Sequence, residues 1–150
     1  MKALKNLSLG FYVGVLAFIV EVVALVFYFI NQGTVTFGNL PLNMVTVVGG
    51  VIALAIQLLI LVLGQLRASN KTGVGVLLDL AYVVEAVLIV WGATVFFADR
   101  INLFSSVMTF NRNAQSLADM NSALYGIGAM FAAAVLVILS SFMRVSKNQE

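Results

Sequence analysis

Two glutamates and a glutamine stand where polar side chains are costly. Glu21, Gln57 and Glu85 each lie inside a long apolar stretch of a chain that is 62% hydrophobic and 9% charged. An acid at the centre of a membrane helix costs about 2.5–3.5 kcal/mol on insertion scales, and such acids mark proton relays and cation paths. Two chemistries are open to this trio. Hydrocarbon disfavours the carboxylate anion, and no Lys or Arg lies at the same depth to offset it. A neutral carboxyl can then donate a hydrogen bond to a neighbouring helix, worth only ~0.6–2 kcal/mol in membranes. Alternatively, the two acids take up a proton or a cation.

Other chemistries are closed. With no His and no Cys, the chain lacks thiolate nucleophiles, disulfides, imidazole-bound zinc and a Ser-His-Asp triad. No Gly-rich phosphate loop or metal-ligand spacing appears in the polar segments. The expectation is a noncatalytic protein with no catalytic residues, no metal and no cofactor. A net charge of +2 and a pI near 9.2 need no nucleic acid, because juxtamembrane cations account for them.

The elements that must hold the trio are membrane helices. Four apolar stretches, about 9–30, 45–65, 76–97 and 121–143, each approach the roughly 20 residues that cross a hydrocarbon core. The first holds fifteen Leu, Ile, Val and Phe residues, which together outweigh the penalty for Glu21. It is too long for the h-region of a signal peptide, and Asn31-Gln32-Gly33-Thr34 offers no small-x-small cleavage site. It is therefore expected to persist as a span. The sole proline, Pro41, falls in a connection rather than in a span. The fold class predicted is all-α, a transmembrane four-helix bundle forming one integral-membrane domain.

Cations set the direction. Lys2, Lys5, Arg67, Lys71, Arg144 and Lys147 fall on one side of the spans, Arg100 and Arg112 on the other. Lys and Arg collect on the cytoplasmic face, so both termini are expected to be cytoplasmic in a multi-pass protein of the cell membrane. Counted from that face at 1.5 Å per residue, Glu21 lies at ~18 Å, Gln57 at ~12 Å and Glu85 at ~14 Å, close enough to share one layer.

Small residues line the same faces. Gly10, Gly14, Ala17 and Glu21 fall on one side of the first helix, and Gly49 or Gly50, Ala53, Gln57 and Gly64 on one side of the second. Tyr82 precedes Glu85 by three residues on the third, and the fourth carries Gly126, Gly128 and Ala132 to Ala134. Such residues let helices pack closely where lipid supplies no hydrophobic drive. Gly10, Gly14, Gly50, Ala53, Gly64 and Gly126 are the predicted packing positions.

The remaining polar groups read as boundary features. Asp79 can meet the dipole of its own helix in the first turn. Asp99 and Arg100 are expected to form a solvated pair at the outer end of the third span. Trp91, Tyr28 and Tyr125 are expected to be aromatic anchors at the same interface. Ile101 to Phe110 reads either as a short interfacial helix or as a loop. The outer connection bearing Asn111, Arg112, Asn113, Gln115, Ser116 and Asp119 is polar enough to hold a partner or a sugar.

The opening Met1-Lys2-Ala3-Leu4-Lys5-Asn6-Leu7-Ser8-Leu9-Gly10-Phe11 and the later Phe97-Ala98-Asp99-Arg100-Ile101 resemble small four-span membrane proteins of Gram-positive bacteria. That resemblance implies the topology and brings no activity or site residues with it. Two functions remain open. One is a noncatalytic accessory or scaffold subunit that packs, through its small-residue faces, against another membrane protein or in a homo-oligomer within the lipid bilayer. The other is a small oligomeric transporter or channel subunit that uses Glu21 and Glu85 for a proton or cation.

Overall fold

The computed structural model of the chain describes residues 8–66 and 72–143. Four helices follow one another: α1 (Leu9–Gln32), α2 (Met44–Leu66), α3 (Thr72–Thr109) and α4 (Ala114–Ser141). All four are long and apolar enough to cross a membrane. They form an antiparallel bundle in which α1 packs chiefly on α4, and α3 on both α2 and α4. The two acid-bearing helices, α1 and α3, are thus diagonal partners across the bundle axis.

The burial pattern is that of a protein solvated by lipid. Leu16, Ile19, Val26 and Ile30 of α1 point outward, whereas Gly10, Gly14, Ala17, Glu21 and Ala24 face the interior. A water-exposed surface this apolar would be an aggregation site. In hydrocarbon it is the stable arrangement, and packing of small residues replaces the hydrophobic drive between helices. Ala53 and Gly64 of α2 are buried as well.

Close backbone approach can be located residue by residue. A Cβ added to Gly14 would meet Leu61 Cδ2 at 2.9 Å and Gln57 Nε2 at 3.0 Å on α2. At Gly50 it would meet Leu25 Cδ2 at 2.7 Å, and at Gly126 it would meet Phe96 Cε1 at 3.0 Å and Phe27 Cβ at 3.2 Å. Gly49 and Gly128 would meet nothing within 4 Å. The α2–α3 seam is closed by Thr46, whose hydroxyl donates to the Gly92 carbonyl at 3.1 Å.

The third helix differs from expectation. Its 38 residues extend ~57 Å, well beyond a ~30 Å hydrocarbon core, and continue to Thr109, over most of the Ile101–Phe110 segment where a separate interfacial helix or a loop was expected. Burial accounts for the continuation. Phe104 and Val107 are buried on its inner face, and Phe104 meets Phe37 of the α1–α2 connection edge to face, with ring centroids 5.7 Å apart. The connection to α4 shrinks accordingly to residues 110–113. Asn113 then caps α4, accepting from Ser116 N at 2.9 Å while donating its own N–H to Ser116 Oγ at 3.1 Å. This reciprocal box satisfies donors that a helix start leaves open. Residues 101–109 and the start of α4 project past the end of α1 and fold over residues 33–43 as a cap.

Lys2, Lys5, Arg67, Lys71, Arg144 and Lys147, which carry the expectation of cytoplasmic termini, lie outside the described residues. The antiparallel order puts the start of α1 and the end of α4 at one end of the bundle, called below the terminal end.

Candidate functional site

Glu21 and Glu85 reach the bundle interior from diagonal helices. Glu21 is 2% exposed and Glu85 0%. None of their four carboxyl oxygens has a hydrogen-bond partner among the described residues. This departs from the rule for buried polar atoms, at least 90% of which are bonded. Interhelical hydrogen bonds from these acids, one of the two expectations, are not made.

A cavity of about 10 Å³ touches the site, bounded by Glu21, Leu25, Thr46, Gly50, Gly92 and Met130. That is room for one water at most. Gly50 and Gly92 help to open it, since neither supplies a side chain. Among the described residues no group of three His, Cys, Asp or Glu side chains could hold a metal ion.

Gln57 stands apart from the acids. It is 0% exposed, and its Nε2 donates to the Gly14 carbonyl at 2.9 Å. Gly14 precedes Glu21 by two helical turns, ~10 Å along α1. The amide therefore ties α2 to α1 below the acids, where the glycine leaves its carbonyl accessible, while its Oε1 remains without a partner.

The second polar centre was misplaced by the sequence reading. Arg100 is 0% exposed and is among the largest fully buried side chains, not half of a solvated pair. Its Nε donates to Asn31 Oδ1 at 3.2 Å and its NH2 to Gln32 Oε1 at 2.6 Å. Asp99 Oδ2 lies 3.6 Å from NH1 and is partly exposed. The guanidinium carbon sits 4.9 Å from the Phe96 ring centroid and 5.4 Å from that of Tyr28. Tyr28 is accordingly fully buried and is not an interfacial anchor; its hydroxyl accepts from Asn43 N at 2.8 Å. Exposed Trp91 and Tyr125 do occupy the surface.

Further bonds tie this centre to every element at the loop end. Asn31 Nδ2 donates to the Asp119 carbonyl and to Ser122 Oγ, both at 3.0 Å. Asp119 Oδ2 accepts from Thr36 N at 3.1 Å and Thr36 Oγ1 at 2.7 Å, and Asn43 Nδ2 donates to Asp99 Oδ2 at 2.7 Å. Gln32 Nε2 donates to the Leu40 carbonyl. Ser116 and Asp119, expected on an open polar loop, are buried; Ser116 is spent on the α4 cap and Asp119 on the bonds to Thr36. A planar guanidinium with five fixed donors suits such a hub better than an ammonium. The outcome is a seal across the bundle axis at its loop end.

The sequence contained one signal for this hub: an arginine following directly on a hydrophobic helix whose apolar pattern resumes at Ile101, Phe104 and Val107. An uninterrupted helical stripe through Phe96, Arg100, Phe104 and Val107 places the arginine on the buried face.

Fold and composition together define a class, the multi-pass integral-membrane four-helix bundle. Compared with protein-family models, curated proteins and solved structures, the chain matches none of them.

Proposed function

We propose that the chain is a small membrane subunit that takes up a proton at Glu21 and Glu85. The observation carrying this reading is the two buried carboxyls whose four oxygens lack partners among the described residues. A structural role would be expected to use those oxygens in interhelical bonds, whereas an acid held in hydrocarbon without a counter-ion takes up a proton without further ligands. A hydrated cation is a poorer fit to a cavity of about 10 Å³. The alternative, a noncatalytic accessory or scaffold subunit, draws on the sealed loop end and on the narrowness of the interior around the acids. Its small-residue faces would have to include positions other than Gly14, Gly50 and Gly126, which are occupied within the chain.

The test is infrared titration of protein reconstituted in lipid, following the carbonyl stretch of neutral carboxyls. The native chain should show a titrating band that Glu21→Gln and Glu85→Gln together remove, with helix content unchanged. Parallel vesicle assays would ask whether a pH gradient drives proton flux that the same double change abolishes. A spectrum identical in native and doubly substituted protein would leave the accessory reading standing.

A further inference from the structure

A second opening lies near the terminal end. A cleft of about 500 Å³ lies between α3 and α4 where their packing opens, and its walls include Asp79, Tyr82, Val83, Val87, Ile138 and Ser141. Asp79, Tyr82 and Glu85 recur at intervals of three residues along α3, so they lie along one side of that helix. Asp79 is exposed, Tyr82 is 7% exposed and Glu85 is fully buried. The stripe thus passes from the open cleft to the closed interior. Side chains on a helix lean toward its N-terminus, which inclines the Glu85 carboxyl toward the turn that bears Tyr82. Tyr82 lines the cleft together with Asp79 and stands one turn before Glu85. At the opposite end Arg100 closes the axis.

We infer that the acid pair is reached from one side only, through the α3–α4 cleft, with Asp79 at its mouth and Tyr82 as the group between cleft water and Glu85. This rests on the proton-uptake reading. The resting structure leaves the Glu85 oxygens unpartnered; once the Tyr82 side chain turns to reach them, a hydronium in the cleft gives a proton to the Tyr82 oxygen as the Tyr82 hydroxyl proton passes to a Glu85 carboxylate oxygen. Water, an intact tyrosine and a neutral carboxyl result. Tyr82 is a positioning and relay residue, and Glu85 is the acceptor.

Two measurements test it on the whole chain in vesicles. The protein has no cysteine, so single cysteines can be placed without background. Val87 lines the cleft and Val84 does not, although both are exposed and Val87 lies ~4.5 Å further along the helix from its start. Thiolates form in water rather than in hydrocarbon, so a charged methanethiosulfonate added from the terminal end should modify Val87→Cys about tenfold faster than Val84→Cys. Equal rates, or a faster Val84→Cys, would show that the cleft holds lipid and would overturn the route. The second measurement follows the neutral-carboxyl band after a pH jump. Tyr82→Phe should slow its rise about tenfold while leaving its final amplitude unchanged, as loss of a positioned proton-transfer group does; Tyr125→Phe should do neither. An unaltered rate in Tyr82→Phe would overturn the relay. Failure of the proton-uptake reading has a different signature: no titrating band in the native chain, with the labelling contrast intact.

Discussion

A guanidinium with no exposed surface is held here by two amides, two aromatic faces and one partly exposed carboxylate. Replacing Arg100 with Met keeps much of the volume but strands Asn31 Oδ1 and Gln32 Oε1. An unsatisfied buried acceptor costs about 1–3 kcal/mol, so Arg100→Met should lower stability by that order for each amide that cannot find another donor. Arg100→Lys should also destabilise, because one ammonium cannot reproduce the planar fork that reaches both amides. Denaturation in detergent micelles, followed by circular dichroism, measures both. Native stability in Arg100→Lys would show that charge alone suffices. The sequence reading placed Arg100 in water because its chain neighbours Asp99 and Ile101 look interfacial. Its real partners lie 68 and 69 residues away, and only the arrival of the α3 segment at the level of the α1 end, across the bundle axis, brings them together.

At the scale of elements, seam geometry separates glycines that composition treats alike. Gly126 and Gly128 are two residues apart on α4, yet a Cβ at the first would press on Phe96 and Phe27 and at the second would meet open space. Gly126→Leu should therefore pry α4 from α1 and destabilise by about 1–3 kcal/mol or more, whereas Gly128→Leu should stay within about 0.5 kcal/mol. Melting temperatures of the two variants in one detergent decide it. Equal losses would mean that helix propensity, not the α1–α4 seam, dominates. Helical periodicity made Gly14 and Gly126 legible as packing positions, since small residues recur on the faces that carry the few polar ones. The length of α3 was not legible. Residues 98–109 are polar enough to end a span, and they remain helical because Phe37, from a different part of the chain, covers Phe104.

For the whole molecule, the start of α1 and the end of α4 fall at one end of the bundle because the antiparallel helices are even in number among the described residues. The expectation from the cations is that this end is cytoplasmic, which would turn the cap outward. Asn111 is exposed near its tip, whereas Ser116 is buried in the α4 cap, so the outer reporter belongs at Asn111. An impermeant thiol reagent on intact cells should modify Asn111→Cys and spare Ser69→Cys. The opposite pattern would invert the orientation, and with it the side from which the α3–α4 cleft opens.

Sequence alone determined that this is an all-helical membrane protein with acids at bilayer depth, because lipid demands long apolar helices and such segments show in composition and length. Periodicity went further and put Glu21, Gln57 and Glu85 on interior faces. What the acids meet could not be read in the same way. Whether two buried carboxyls bond to each other, to an amide or to nothing depends on the relative height and rotation of diagonal helices. Those are fixed by contacts such as Gly50 against Leu25 and Thr46 against Gly92. Tertiary packing alone lowered Gln57 to Gly14, left the carboxyls without partners and drew Arg100 inward, since each outcome requires groups far apart in the chain to arrive at one level of the bundle.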